Sequence, residues 1–95
     1  MTHEEKIENN RLIARWKLEI GNNTAFINDM HPNNLLYHCS WDWLIPVASM
    51  TALYVNVDDE GHKLQMEIFK QLRLFDKEKL WLAVVEFIKW YNLNQ

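Results

Sequence analysis

Ninety-five residues make one domain, residues 1–95, with a small core. The chain is 48% hydrophobic, with 2 Gly and 2 Pro, which excludes a disordered or low-complexity protein. A formal net charge of −3 argues against direct binding to a nucleic-acid backbone, which needs a basic face to release counterions.

The first residues form a capping box. Thr2 can accept from the amide of Glu5, and Glu4 and Glu5 sit at the positive end of the helix dipole. Leu12, Ile13, Trp16 and Ile20 follow at helical spacing, so a first helix is expected over 3–18, with Gly21 as its stop signal. No secretion signal is expected, because charges run through this opening segment. No apolar run reaches the roughly 18 residues of a membrane span, so no membrane partner is expected. The single Cys39 has no internal partner and suits a reducing cytoplasm.

Residues 21–39 read as a loop. Gly21-Asn22-Asn23 and His31-Pro32-Asn33-Asn34 carry turn chemistry, and Thr24–Ile27 can form a short strand between them. A second helix is expected from Ser40, an N-cap candidate, with Asp42 in its first turn. Trp41, Leu44, Ile45, Ala48 and Ala52 make one face of it; Trp43, Val47 and Met50 make the opposite face. Such an element is expected to be covered from both sides, with a kink at Pro46.

Leu53–Val57 is β-branched and aromatic, and Asp58-Asp59-Glu60-Gly61 reads as a turn. Leu64, Met66 and Ile68 alternate with polar residues as in a strand, although Leu64, Ile68, Leu72 and Phe75 also fit a helix face. The hairpin reading supplies Leu53–Val57 with an antiparallel partner. The last helix is capped by Asp76 and centred on Leu80, Val84, Phe87 and Tyr91; Trp81, Val85 and Trp90 widen its apolar arc. The expected fold is therefore α+β, helix–loop–helix–β-hairpin–helix, with an all-α bundle as the alternative.

Tyr37-His38-Cys39-Ser40-Trp41-Asp42-Trp43-Leu44-Ile45-Pro46-Val47 resembles a signature of short uncharacterised proteins from phage and prophage regions of bacterial genomes. In those proteins tyrosine-histidine and a small residue precede Ser-Trp-Asp-Trp-Leu-Met-Pro-Val-Val. Ala83–Asn92 is similar to their closing helix and Asn10–Ala14 to their opening one. The uncharged Ala48-Ser49-Met50-Thr51 departs from their charged continuation and leaves the length of the second helix open. The resemblance implies a phage or bacterial setting and a small domain; it carries over no activity and no catalytic residue.

Candidate chemistry is sparse. His38 beside Cys39 is a conceivable base and nucleophile, but chain neighbours usually point apart. His31, His38, Cys39 and His62 lack the spacing of a zinc site, and Asp58–Gly61 lacks the ligand pattern of a calcium loop. Asp42, between two tryptophans, reads as part of a helix cap. No catalytic, metal or cofactor residue is assigned. Ser40, Trp41, Trp43, Pro46, Phe87, Trp90 and Tyr91 are the expected structural centre. The expected function is that of a non-enzymatic accessory or interaction protein. It would pair with a host or phage protein or with itself as a homodimer through over-wide apolar helix faces. The alternative is a small enzyme or metal-binding protein using Cys39, His38 or His62.

Overall fold

The computed structural model describes residues 2–21 and 35–94. They form four helices: α1 (His3–Gly21), α2 (Trp41–Ala52), α3 (Asp59–Leu74) and α4 (Lys77–Leu93). Among the described residues there is no strand, so the α+β expectation is corrected to an all-helical bundle. The short strand expected at 24–27 lies outside them.

The correction falls on residues 53–75. Asp58 is a helix cap, not part of a turn: its side chain accepts from the Gly61 amide at 2.9 Å. Asp59 and Glu60 occupy the first turn and Arg73 the last, each at the end of the dipole that favours its charge. Gly61 lies in the first turn of α3, where Trp90 crosses it closely and leaves no room for a side chain. A Cβ there would stand 2.7 Å from the indole ring and 3.0 Å from the Val57 Cβ. The segment that reads as the first strand is an irregular connection, with Tyr54 and Val57 packed on the core and Val55 exposed. Gln65 holds its start, donating to the carbonyls of Thr51 (3.0 Å) and Tyr54 (2.6 Å) at the end of α2.

Helix α1 starts as expected, with the Glu5 amide donating to Thr2 Oγ1 at 3.1 Å. It runs to Gly21, and Ile13, Ala14 and Trp16 are buried. Helix α2 runs through Pro46, which is exposed, and buries Leu44, Val47, Ala48, Thr51 and Ala52. These come from one face at i, i+3, i+4 spacing, while Ile45 is exposed and Met50 only half-buried. Trp41, Trp43 and Met50 pack against the core, so both expected faces contribute to it, and Asp42, Ile45, Pro46 and Ser49 are exposed.

Helix α4 is the centre. Asp76 caps it by accepting from the Lys79 amide at 3.0 Å, and it packs against α1, α2 and α3. Leu80, Trp81, Ala83, Val84, Val85, Phe87, Ile88 and Tyr91 are all buried. Its wide apolar arc is thus covered within the chain. Trp16, Tyr54, Phe87 and Tyr91 meet edge to face beside it, with centroids 5.4 to 6.5 Å apart.

Candidate functional site

The turn before α2 sets the position of two different groups of side chains. Leu35 and Tyr37 are buried, and the amides of Cys39 and Ser40 both donate to the Leu36 carbonyl, at 3.1 and 2.9 Å. Ser40 is the cap residue by its extended backbone, but its side chain makes no capping bond. Its carbonyl serves instead, accepting from Trp43 N and Leu44 N.

Outside this turn lies an apolar edge. Trp41, half-buried, meets Phe75 edge to face with centroids 6.5 Å apart. The Lys77 ammonium stands 6.0 Å from the Trp41 ring and donates to the Cys39 carbonyl at 3.1 Å, tying the start of α4 to the turn. Ile45 follows Trp41 by one helical turn and is exposed, as is Leu74. Phe75 is the unusual member. It caps α3 in the left-handed region, at φ 55° and ψ 33°, and is 81% exposed. That position usually holds Gly.

Inside the turn lies a polar node that sequence reasoning missed. Asn10 of α1 is 2% exposed. Its side-chain amide donates to the Leu35 carbonyl at 3.0 Å and lies 2.8 Å from His38 Nδ1, while its oxygen accepts from Trp81 Nε1 at 2.9 Å. An indole N–H can only donate and a carbonyl can only accept, so Asn10 has one workable orientation. His38 Nδ1 is then the acceptor and its proton sits on Nε2. Burial lowers the His38 pKa below its ordinary 6.5, and the charges of Lys6 and His3 lower it further. The one signal in the sequence was a polar Asn10 one turn before the apolar Ile13 and Ala14.

The imidazole and the thiol therefore have different tasks. His38 Nδ1 faces Asn10, whereas the Cys39 thiol is exposed and 3.8 Å from the Leu36 carbonyl. His62 is exposed on α3, and His31 lies outside the described residues. Among the described residues no group of three or more His, Cys, Asp and Glu side chains could hold a metal ion. Asp42 is exposed. Of the expected structural centre, Phe87 and Tyr91 are buried, Ser40, Trp41, Trp43 and Trp90 are half-buried, and Pro46 is exposed. Trp43 packs on Tyr37 at 5.2 Å and Trp90 on Phe87 at 5.4 Å, and both, like Trp41, lie against the single hydrophobic core among the described residues.

Comparison with protein-family models, with curated proteins and with solved structures finds no match. A relation to phage proteins gains no support from them. No described helix is long and apolar enough to cross a membrane.

Proposed function

We propose that this chain is a non-enzymatic interaction protein that self-associates through the edge formed by Trp41, Ile45, Leu74 and Phe75. The exposure of Phe75 in left-handed backbone carries this reading. A residue with a Cβ costs about 1–2 kcal/mol there, and a solvent-facing phenyl group adds little burial to set against it. Aromatic anchors of this kind supply most of the energy of protein interfaces. The lone exposed Cys39 suits a reducing compartment, and we place the interaction in the cytoplasm.

Phe75→Gly tests the proposal. The backbone term favours the variant, while loss of the Trp41 ring contact, about 0.5–1.5 kcal/mol, opposes it. Stability should therefore stay within about 1 kcal/mol of the parent, while the dimer dissociation constant in sedimentation equilibrium rises about tenfold or more. A parent chain that stays monomeric at high micromolar concentration would remove the reading.

A further inference from the structure

The turn before α2 has the Asn10 node on its inner side and leads directly into the apolar edge on its outer side. Trp41, the first residue of α2, follows His38 by three positions. Asn10 ties the turn from inside, through the Leu35 carbonyl at 3.0 Å and His38 Nδ1 at 2.8 Å. Lys77 ties it from outside, donating to the Cys39 carbonyl at 3.1 Å. The Leu36 carbonyl accepts from the Cys39 and Ser40 amides, so His38 and the start of α2 share one hydrogen-bonded unit.

The inner tie suits one protonation state of His38. Both hydrogens of the Asn10 amide are committed, one to the Leu35 carbonyl and one to His38 Nδ1. The amide cannot turn over, because its nitrogen would then meet the Trp81 Nε1–H and its oxygen the Leu35 carbonyl. An imidazolium carries a proton on both ring nitrogens, so protonated His38 sets an N–H against the Asn10 N–H at 2.8 Å. Turning the ring over exchanges Nδ1 for a carbon and leaves the Asn10 hydrogen unpaired. The bond is lost either way. On α1 the new charge faces Lys6 and His3; on α4 it faces the Trp81 ring at 5.9 Å, with the Lys77 ammonium on the adjoining Cys39 carbonyl. Asp42 of α2 is exposed, and no carboxylate among the described residues pairs with His38. Burial and the like charges together hold the His38 pKa below 6.5.

We infer that His38 is an acid-operated switch on the Trp41–Phe75 edge: its neutral ring holds the turn and presents Trp41 for self-association, and its protonation releases the turn and disperses the edge. This rests on the self-association proposed above and names its control. The moving element is the turn with the start of α2. Phe75 is anchored separately, its amide donating to the Leu72 carbonyl at 3.3 Å, so the two rings separate when the turn shifts. Neutral His38 is the form that pairs, so the dimer binds fewer protons than the monomer. Affinity is lost as the pH falls through the His38 value, below 6.5.

Sedimentation equilibrium at pH 7.5 and pH 5 reads the switch, with circular dichroism confirming a folded chain at both. The dissociation constant should rise about tenfold or more at pH 5. His38→Asn and His38→Gln keep a side-chain oxygen and do not titrate, so each should hold its affinity at both values. His62→Asn, at an exposed position of α3, should keep the full rise. Proton–nitrogen NMR of the dilute monomer follows the indole N–H signals in parallel. Those of Trp81 and Trp41 should both titrate with the His38 ring in the parent, and neither should in the His38 variants. Equal affinity at both pH values, or a rise that survives in the His38 variants, would overturn the inference. So would a Trp41 signal that stays still while Trp81 titrates, because the node then moves without the edge. A parent chain that is monomeric at pH 7.5 removes the self-association reading and its control together; a dimer indifferent to pH removes this inference alone.

Discussion

At the scale of single residues, the Asn10 node decides more than any charged pair. The ion pairs Arg11–Glu8, Lys79–Asp76 and Lys89–Glu86 are exposed helix-surface contacts of little weight. Asn10, by contrast, pairs three buried or half-buried groups, two from the turn before α2 and one from α4. Removing it leaves an indole donor and a carbonyl acceptor without partners, each costing about 1–3 kcal/mol. The same node makes stability depend on pH. His38 has a lowered pKa in the folded state, so the unfolded chain binds more protons once the pH falls below about 6.5. Its contribution is fully present above that pH and is lost as the pH falls through the folded value. Protonation also places a second donor against the Asn10 amide. Urea midpoints should therefore fall between pH 7.5 and pH 5, and His38→Gln should flatten that slope. An unchanged slope in the variant would assign the effect to other groups.

At the scale of elements, α3 shows what could and could not be read from the sequence. The starts of α4 and α1 were legible, because Asp76 and Thr2 cap through their own side chains. The core line Leu80, Val84, Phe87 and Tyr91 was legible from spacing alone. Helix α3 was misread because its apolar residues satisfy two periodicities at once, and Gly61 reads as a turn signal. The Asp58 cap places Gly61 in the first turn of the helix, and what requires a glycine there is the close approach of Trp90, twenty-nine positions away, which no local pattern contains. The polar node and the exposed Phe75 were hidden for the same reason. A residue such as Asn10 acquires its meaning from Leu35 and Trp81, not from its neighbours. Gly61→Ala makes the tertiary term measurable. Helix propensity alone favours Ala by about 1 kcal/mol, while a Cβ 2.7 Å from the Trp90 ring brings an overpacking cost of about 1–3 kcal/mol. The variant should be less stable by up to about 2 kcal/mol, and the same change in a Trp90→Leu background should become stabilising. Thermal or urea unfolding of the four chains settles the sign.

At the scale of the whole molecule, α4 is the hub, and the other helices differ in how they attach to it. Helix α3 packs on both α4 and α2, whereas α1 packs chiefly on α4. Beyond that, α1 is held by the Asn10 node and by Trp16 in the aromatic cluster. The Trp16 indole N–H is itself buried without a partner among the described residues, which weakens that attachment. Helix α1 should therefore open before the rest, as a local unit of lower stability. Two substitutions separate this from all-or-none unfolding. Ile68→Val, in the buried face of α3, should cost about 0.5–1.5 kcal/mol. It weakens contacts that survive when only α1 detaches, so it should lower the exchange protection of α4 amides and leave that of α1 unchanged. Asn10→Leu removes contacts that are lost in both openings, and so should lower protection in α1 and α4 alike, by roughly 2–4 kcal/mol. Native-state hydrogen exchange reads both helices in one experiment. If Ile68→Val lowers α1 and α4 equally, α1 has no opening of its own and the bundle is one cooperative unit.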